Sequence, residues 1–186
     1  MKNVIWTPSA SVTATDVLSL SDAKLWLRVD TDDEDALITS LIGVAVERVQ
    51  NYTGYYLQEV SGTFRMDAFR NTYLPAGPMV SVASVTYTPD ATPITFSDYY
   101  VGDVGSSPYI NFDSPPAIDT ENVYPVTITA TVGNDSPPAP LVHAVRLLLS
   151  HYYDVRESVV IGTTVSGQIP QGILSLMSEY RNVYFQ

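Results

Sequence analysis

The sequence predicts an α+β fold: a helical core of two long helices, with short helices near both ends, interrupted by an inserted antiparallel β-rich region. Three observations predict it. Apolar residues recur at steps of four and three over residues 34–53 and again from Leu141 towards Glu157, the period of a helix buried on one face. Between these stretches, from Gln58 to Asp135, β-branched and aromatic runs alternate with polar residues and are punctuated by Pro, Gly, Ser and Thr. Pro137, Pro138 and Pro140 then end the strand texture and pre-set a helix start. The chain accordingly divides into an N-terminal arm (1–18), a discontinuous helical core (19–57 and 137–181), a β-rich insertion (58–136) and a short tail (182–186).

Residues 1–18 hold a strand candidate, Val4-Ile5-Trp6, followed by a Ser/Thr-rich connector, the composition of a loosely held arm. Ser19 stands three residues before Asp22, a hydroxyl and a carboxylate at a positive helix end, so a first helix runs from about 20 to 28. Thr31-Asp32-Asp33-Glu34 reads as a capping box that starts the next helix at Thr31 or Asp33. Its apolar stripe is Ile38, Ile42, Ala45, Val49 and Tyr52, widened by Leu37, Leu41 and Val44. Gly54 ends it, where a left-handed residue is least costly.

In the β region, TFRM, MVSVASVTYT, YYVG and VTITATV are the clearest runs, and five or six short strands are expected. Val126, Ile128, Ala130 and Val132 alternate with threonines, while Val80, Val82, Val85 and Tyr87 alternate less strictly. Ala76-Gly77-Pro78, Pro89-Asp90, Gly102-Asp103, Ser114-Pro115-Pro116 and Gly133-Asn134-Asp135 supply corners. The second long helix spans about 139–157, with Leu141, Val145, Leu148 and Tyr152 on its core face, packing against the helix that ends at Thr53. Gly162 to Gly167 is loop material, and a last amphipathic helix covers 172–179.

With 186 residues and no cysteine, the chain buries a core without disulfides, and thiolate chemistry is excluded. No apolar h-region follows Lys2 and no apolar run reaches 18 residues, so a soluble protein made in the cytosol is expected. The net charge of −11 opposes gripping a phosphate backbone, although DNA can still pass nearby.

The residues do not assemble an enzyme. Both histidines, His143 and His151, sit on one predicted helix, and Ser166 lacks the glycine of a G-x-S-x-G elbow. Eight residues apart on a helix, the histidines are too distant to share a metal ion. Asp30, Asp32, Glu34 and Asp35 suggest a calcium loop, but Asp35 stands where the turn needs Gly and Leu41 where it needs the bidentate Glu. Gly162 and Gly167 have P-loop spacing without the Lys-Ser/Thr pair. No catalytic residue, cofactor or metal is therefore assigned. Thirteen tyrosines supply apolar area with polar tips, which suits interfaces.

In this order, LSLSDAKLWLRVD, DTDDEDALI, VQNYTGYYL, YLPAGPMVSVASVTY, PLVHAVRLLLSHYYDVRE and IPQGILSLMSEYR resemble successive signatures of the gp6-like head–tail connector proteins of tailed phages, the head-completion or adaptor proteins that dock beneath the portal. The resemblance spans most of residues 16–181. It implies a virion structural protein whose copies close a twelve-fold homo-oligomeric ring matched to the portal. That ring prolongs the DNA channel, lets DNA pass without specific binding, and receives the tail or a neck or stopper protein. Assembly takes place in the host cytoplasm, and the mature site is the head–tail junction. On this reading Asp32, Asp33 and Glu34 meet arginines of an adjacent subunit, drawn from Arg28, Arg48, Arg146 and Arg156. Tyr180, Arg181, Tyr184 and Phe185 dock on the portal.

Three alternatives stay open. A tail-completion or neck subunit would bind the tail side, and a β-rich carbohydrate-binding module would use the helices only as a base. A cytosolic hydrolase lacks its nucleophile.

Overall fold

The computed structural model describes residues 4–10, 13–89, 92–104, 107–118, 122–154, 170–182 and 184. Its helices and antiparallel strands form an α+β protein of two compact units. One, the β unit, comprises Met1–Val12, Gly54–Asp135 and Arg181–Gln186; the other, the α unit, comprises Thr13–Thr53 and Ser136–Tyr180.

The β unit contains β1 (Val4–Pro8), β2 (Val60–Met66), β3 (Thr72–Tyr73), β4 (Met79–Tyr87), β5 (Ile94–Phe96), β6 (Tyr99–Val104), β7 (Ser107–Phe112) and β8 (Val126–Val132). They make a five-stranded sheet, β1-β2-β8-β4-β5, and a three-stranded sheet, β3-β7-β6, with every strand pair antiparallel. Seven described strands thus occupy the stretch where five or six were expected. The additional short ones, β3 and β5, have too few residues to show a period of two.

Strand β8 follows the expected alternation strictly. Val126, Ile128, Ala130 and Val132 are buried, and its threonines face outward, where the Thr131 and Ser61 hydroxyls lie 2.9 Å apart across the β2–β8 pair. Strand β4 departs from it, because two register irregularities, between Met79 and Ser81 and between Val82 and Ser84, shift which residues face inward. Val85 is buried in consequence, and Val80 is exposed. Both sheets supply one core, with Phe64, Met66, Val85, Ile128, Ile110 and Phe112 among its members and Phe69 packed on Phe96 and Phe112. Each fully buried side chain of this size contributes about 1.5–3 kcal/mol of transfer free energy.

Parts of both the expected arm and the expected tail belong to this unit. Residues 4–8, read as part of an arm, pair with β2 from Val4↔Met66 to Pro8↔Gly62, and Trp6 packs on Phe64 at 4.3 Å. In the tail, Asn182 is buried and donates from Nδ2 to the Leu74 carbonyl at 2.9 Å. The Tyr184 hydroxyl donates to the Val4 carbonyl at 3.1 Å. Gly133, at φ +113°, closes the corner after β8; a Cβ there would stand 1.8 Å from the Gln58 carbonyl oxygen, so only glycine fits.

The α unit contains α1 (Ala14–Val17), α2 (Leu20–Leu27), α3 (Asp35–Thr53), α4 (Ala139–Asp154) and α5 (Gln171–Ser178). The short α1 lies in the stretch read as connector. Ser19 caps α2 as expected, its Oγ accepting from the Asp22 N–H at 3.1 Å. Helix α3 starts at Asp35, later than the Thr31 or Asp33 expected, and Gly54 follows it at φ 72°. Its buried face is Ile38, Ile42, Ala45, Val46, Val49, Gln50 and Thr53, whereas Leu37 and Val44 are exposed. Helix α4 packs against α3 and α5 through Leu141, Ala144, Val145, Leu148 and Leu149. It is described to Asp154; the expected end near 157 and the 162–167 loop lie outside the described residues.

Candidate subunit interface

The acidic elbow between α2 and α3 is largely committed within its own chain. Lys24, on α2, reaches Asp32 Oδ1 at 2.5 Å and Asp35 Oδ1 at 2.7 Å. These hydrogen bonds push the Lys24 ammonium above its ordinary value, and the Lys24 hydrogen bond holds Asp32 below the ordinary carboxylate value. Glu34 accepts a short hydrogen bond from the Tyr153 hydroxyl of α4. The box expected at Thr31–Glu34 therefore does not open α3 where the sequence places it, because α4 and α2 supply partners for its carboxylates from a distance. Asp33 is exposed and, among the described residues, makes no hydrogen bond or ion pair.

The candidate arginines separate into distinct environments. Arg28 follows α2 at φ 59°, a left-handed conformation that costs a non-glycine residue about 1 kcal/mol. Together with Arg146 of α4 it lines a cleft of about 550 Å³, whose other walls are Asp22, Leu25, Trp26 and Ser150. Trp26 braces the cleft: its indole Nε1–H donates to Ser150 Oγ at 2.8 Å, and its ring meets His143 edge-on at 5.7 Å between centroids. Arg48 sits on the exposed surface of α3, outside this lining, and Arg156 lies outside the described residues.

Sequence reasoning missed Leu25 and Trp26 as surface residues. The available signal was their adjacency on a helix too short to bury both; Ala23 is the one buried residue of α2, and Leu25 is 80% exposed. Of the expected docking tail, Tyr180 and Arg181 are half-buried, Tyr184 is held by the β unit, and Phe185 lies outside the described residues. Among the described residues no three His, Asp or Glu side chains converge on a metal-sized site, and no helix is long and apolar enough to cross a membrane.

Comparisons with known proteins find related chains. Residues 17–101 match the model of the family described as phage gp6-like head-tail connector protein. No curated protein matches the sequence. Among solved structures, a chain in the neck of an empty gene transfer agent particle computed with C6 symmetry has 22% identity and a TM-score of 0.78, each chain covered over 96%. A chain of the native gene transfer agent virion gives 21% identity and 0.74, and one in the native neck computed with C12 symmetry gives 22% and 0.70, both with 96% of each chain covered. These likenesses show a shared fold across nearly the whole chain. The chain is thus similar over residues 17–101 to the phage gp6-like head-tail connector family and shares its fold with proteins of the gene transfer agent neck.

Proposed function

We propose that the protein is the adaptor subunit of the head–tail junction, twelve copies of which close a ring beneath the portal, prolong the DNA channel and present the surface that receives the tail. The observation that carries this reading is the fold likeness over 96% of both chains to proteins of necks solved with C6 and C12 symmetry. The charge supports it as well, since a channel wall drawn from a chain of net −11 repels the phosphate backbone and lets DNA slide. Between copies, Asp33, the elbow carboxylate that Lys24 and Tyr153 leave unengaged, meets arginines of the neighbouring subunit. The portal contact falls to Tyr180 and Arg181 and to Phe185 beyond them, with Tyr184 anchoring the tail. Assembly takes place in the host cytoplasm.

Native mass spectrometry of the chain, alone and mixed with its cognate portal, tests the proposal. A twelve-copy ring on the portal is the expected species. A strict monomer that ignores the portal, or a ring that binds only tail components, overturns it.

A further inference from the structure

We infer that the cleft between α2 and α4 of one copy receives the exposed flank at the start of α3 of the next, with Asp33 against Arg28 and Arg146 and with Leu37 and Val44 against Leu25 and Trp26. The inference rests on the ring reading above and adds which charges pair and what apolar surface closes over them.

The cleft is cationic in an acidic chain. Arg28 and Arg146 line it against a single carboxylate, Asp22, which already accepts from the Ser19 hydroxyl at 2.8 Å. Among the described residues neither arginine forms an ion pair. With 20 acidic residues against nine basic ones, positive charge is the scarce kind, and a second copy is a ready source of carboxylates.

The cleft is also apolar on one side, through Leu25 at 80% and Trp26 at 39% exposure. An exposed ion pair alone is worth little, so a stable contact needs such surface to desolvate it.

The start of α3 carries the complement. Asp33 is the elbow residue between Thr31 and Asp35 whose carboxylate neither Lys24 nor Tyr153 engages. Leu37 and Val44, 37% and 47% exposed, stand seven residues apart on one helix flank with half-buried Leu41 between them. The buried face of α3 lies elsewhere, on Ile38, Ile42, Ala45 and Val49. Two different patches of one surface that complement each other form a heterologous contact, the kind that repeats around a ring.

The test is charge reversal, with ring population on the portal read by native mass spectrometry and monomer folding checked by thermal melting. Asp33→Arg alone, and Arg28→Glu with Arg146→Glu, each cut the ring population at least tenfold, and the triple variant restores it. Leu25→Ser, at a side chain the monomer leaves exposed, also cuts it. Rings that form normally with the cleft reversed, or a triple variant that stays unassembled, overturn the inference and leave the ring reading intact. A wild-type chain that never assembles removes both.

Discussion

The hydroxyl of Tyr153, near the end of α4, donates to the carboxylate of Glu34, the residue immediately before α3. This bond joins residues 119 positions apart in sequence and takes Glu34 out of the pool available to a neighbouring copy. Tyr153→Phe removes the donor and keeps the ring. A hydrogen bond to a charged group in a partly buried setting predicts a loss of about 1.5 kcal/mol. Urea unfolding of the isolated chain measures it, and an unchanged midpoint would show the bond to be energetically silent.

Lys24 ties α2 to the elbow, and its contribution depends on pH at both ends. Asp32 titrates below its unfolded value, so that part of the stability is present above the ordinary carboxylate range and is lost as pH falls through the depressed value. Lys24 titrates above its unfolded value, so its part is lost only as alkaline pH passes the raised value. The melting temperatures of wild type and Lys24→Gln should differ most between roughly pH 5 and 9 and converge at either extreme. The difference should also shrink with added salt, since both groups are near the surface. A gap that persists at pH 2 contradicts this account.

Asn182 is fully buried, and both ends of its amide are used: Nδ2 donates to the Leu74 carbonyl and Oδ1 accepts from the Tyr184 N–H, each at 2.9 Å. Asn182→Ala leaves the Leu74 carbonyl buried without this donor and releases the hold on Tyr184. The expected cost is about 1–3 kcal/mol, with faster amide exchange at Tyr184 and Val4. Exchange unchanged at both positions would show that the tail is held by other contacts.

The long elements were legible because their information is local. The period of Ile38, Ile42, Ala45 and Val49 needs only one helix and one buried side, and the strict alternation of β8 needs only one half-buried sheet. Strand β4 was legible in outline and misleading in detail, since its register irregularities break the period that would have marked Val80 as exposed. The interface candidates divide the same way. The acidic elbow stands out in sequence, yet which of its carboxylates remain available depends on Lys24 and Tyr153, and the second of these lies 119 residues away in sequence.

By itself, the sequence determined the class of the fold, the two long helices, the Gly54 stop of the first, the absence of cysteine chemistry, and the resemblance to a family. Hydrophobic periodicity, helix capping and composition are written within a few residues of where they act. Only the tertiary structure decided that residues 4–8 pair with β2, that Asn182 and Tyr184 anchor the tail, and that Arg28 and Arg146 share one cleft with Leu25 and Trp26. Each of these joins residues tens to more than a hundred positions apart. A long-range contact is set by how whole elements pack, which no local pattern encodes.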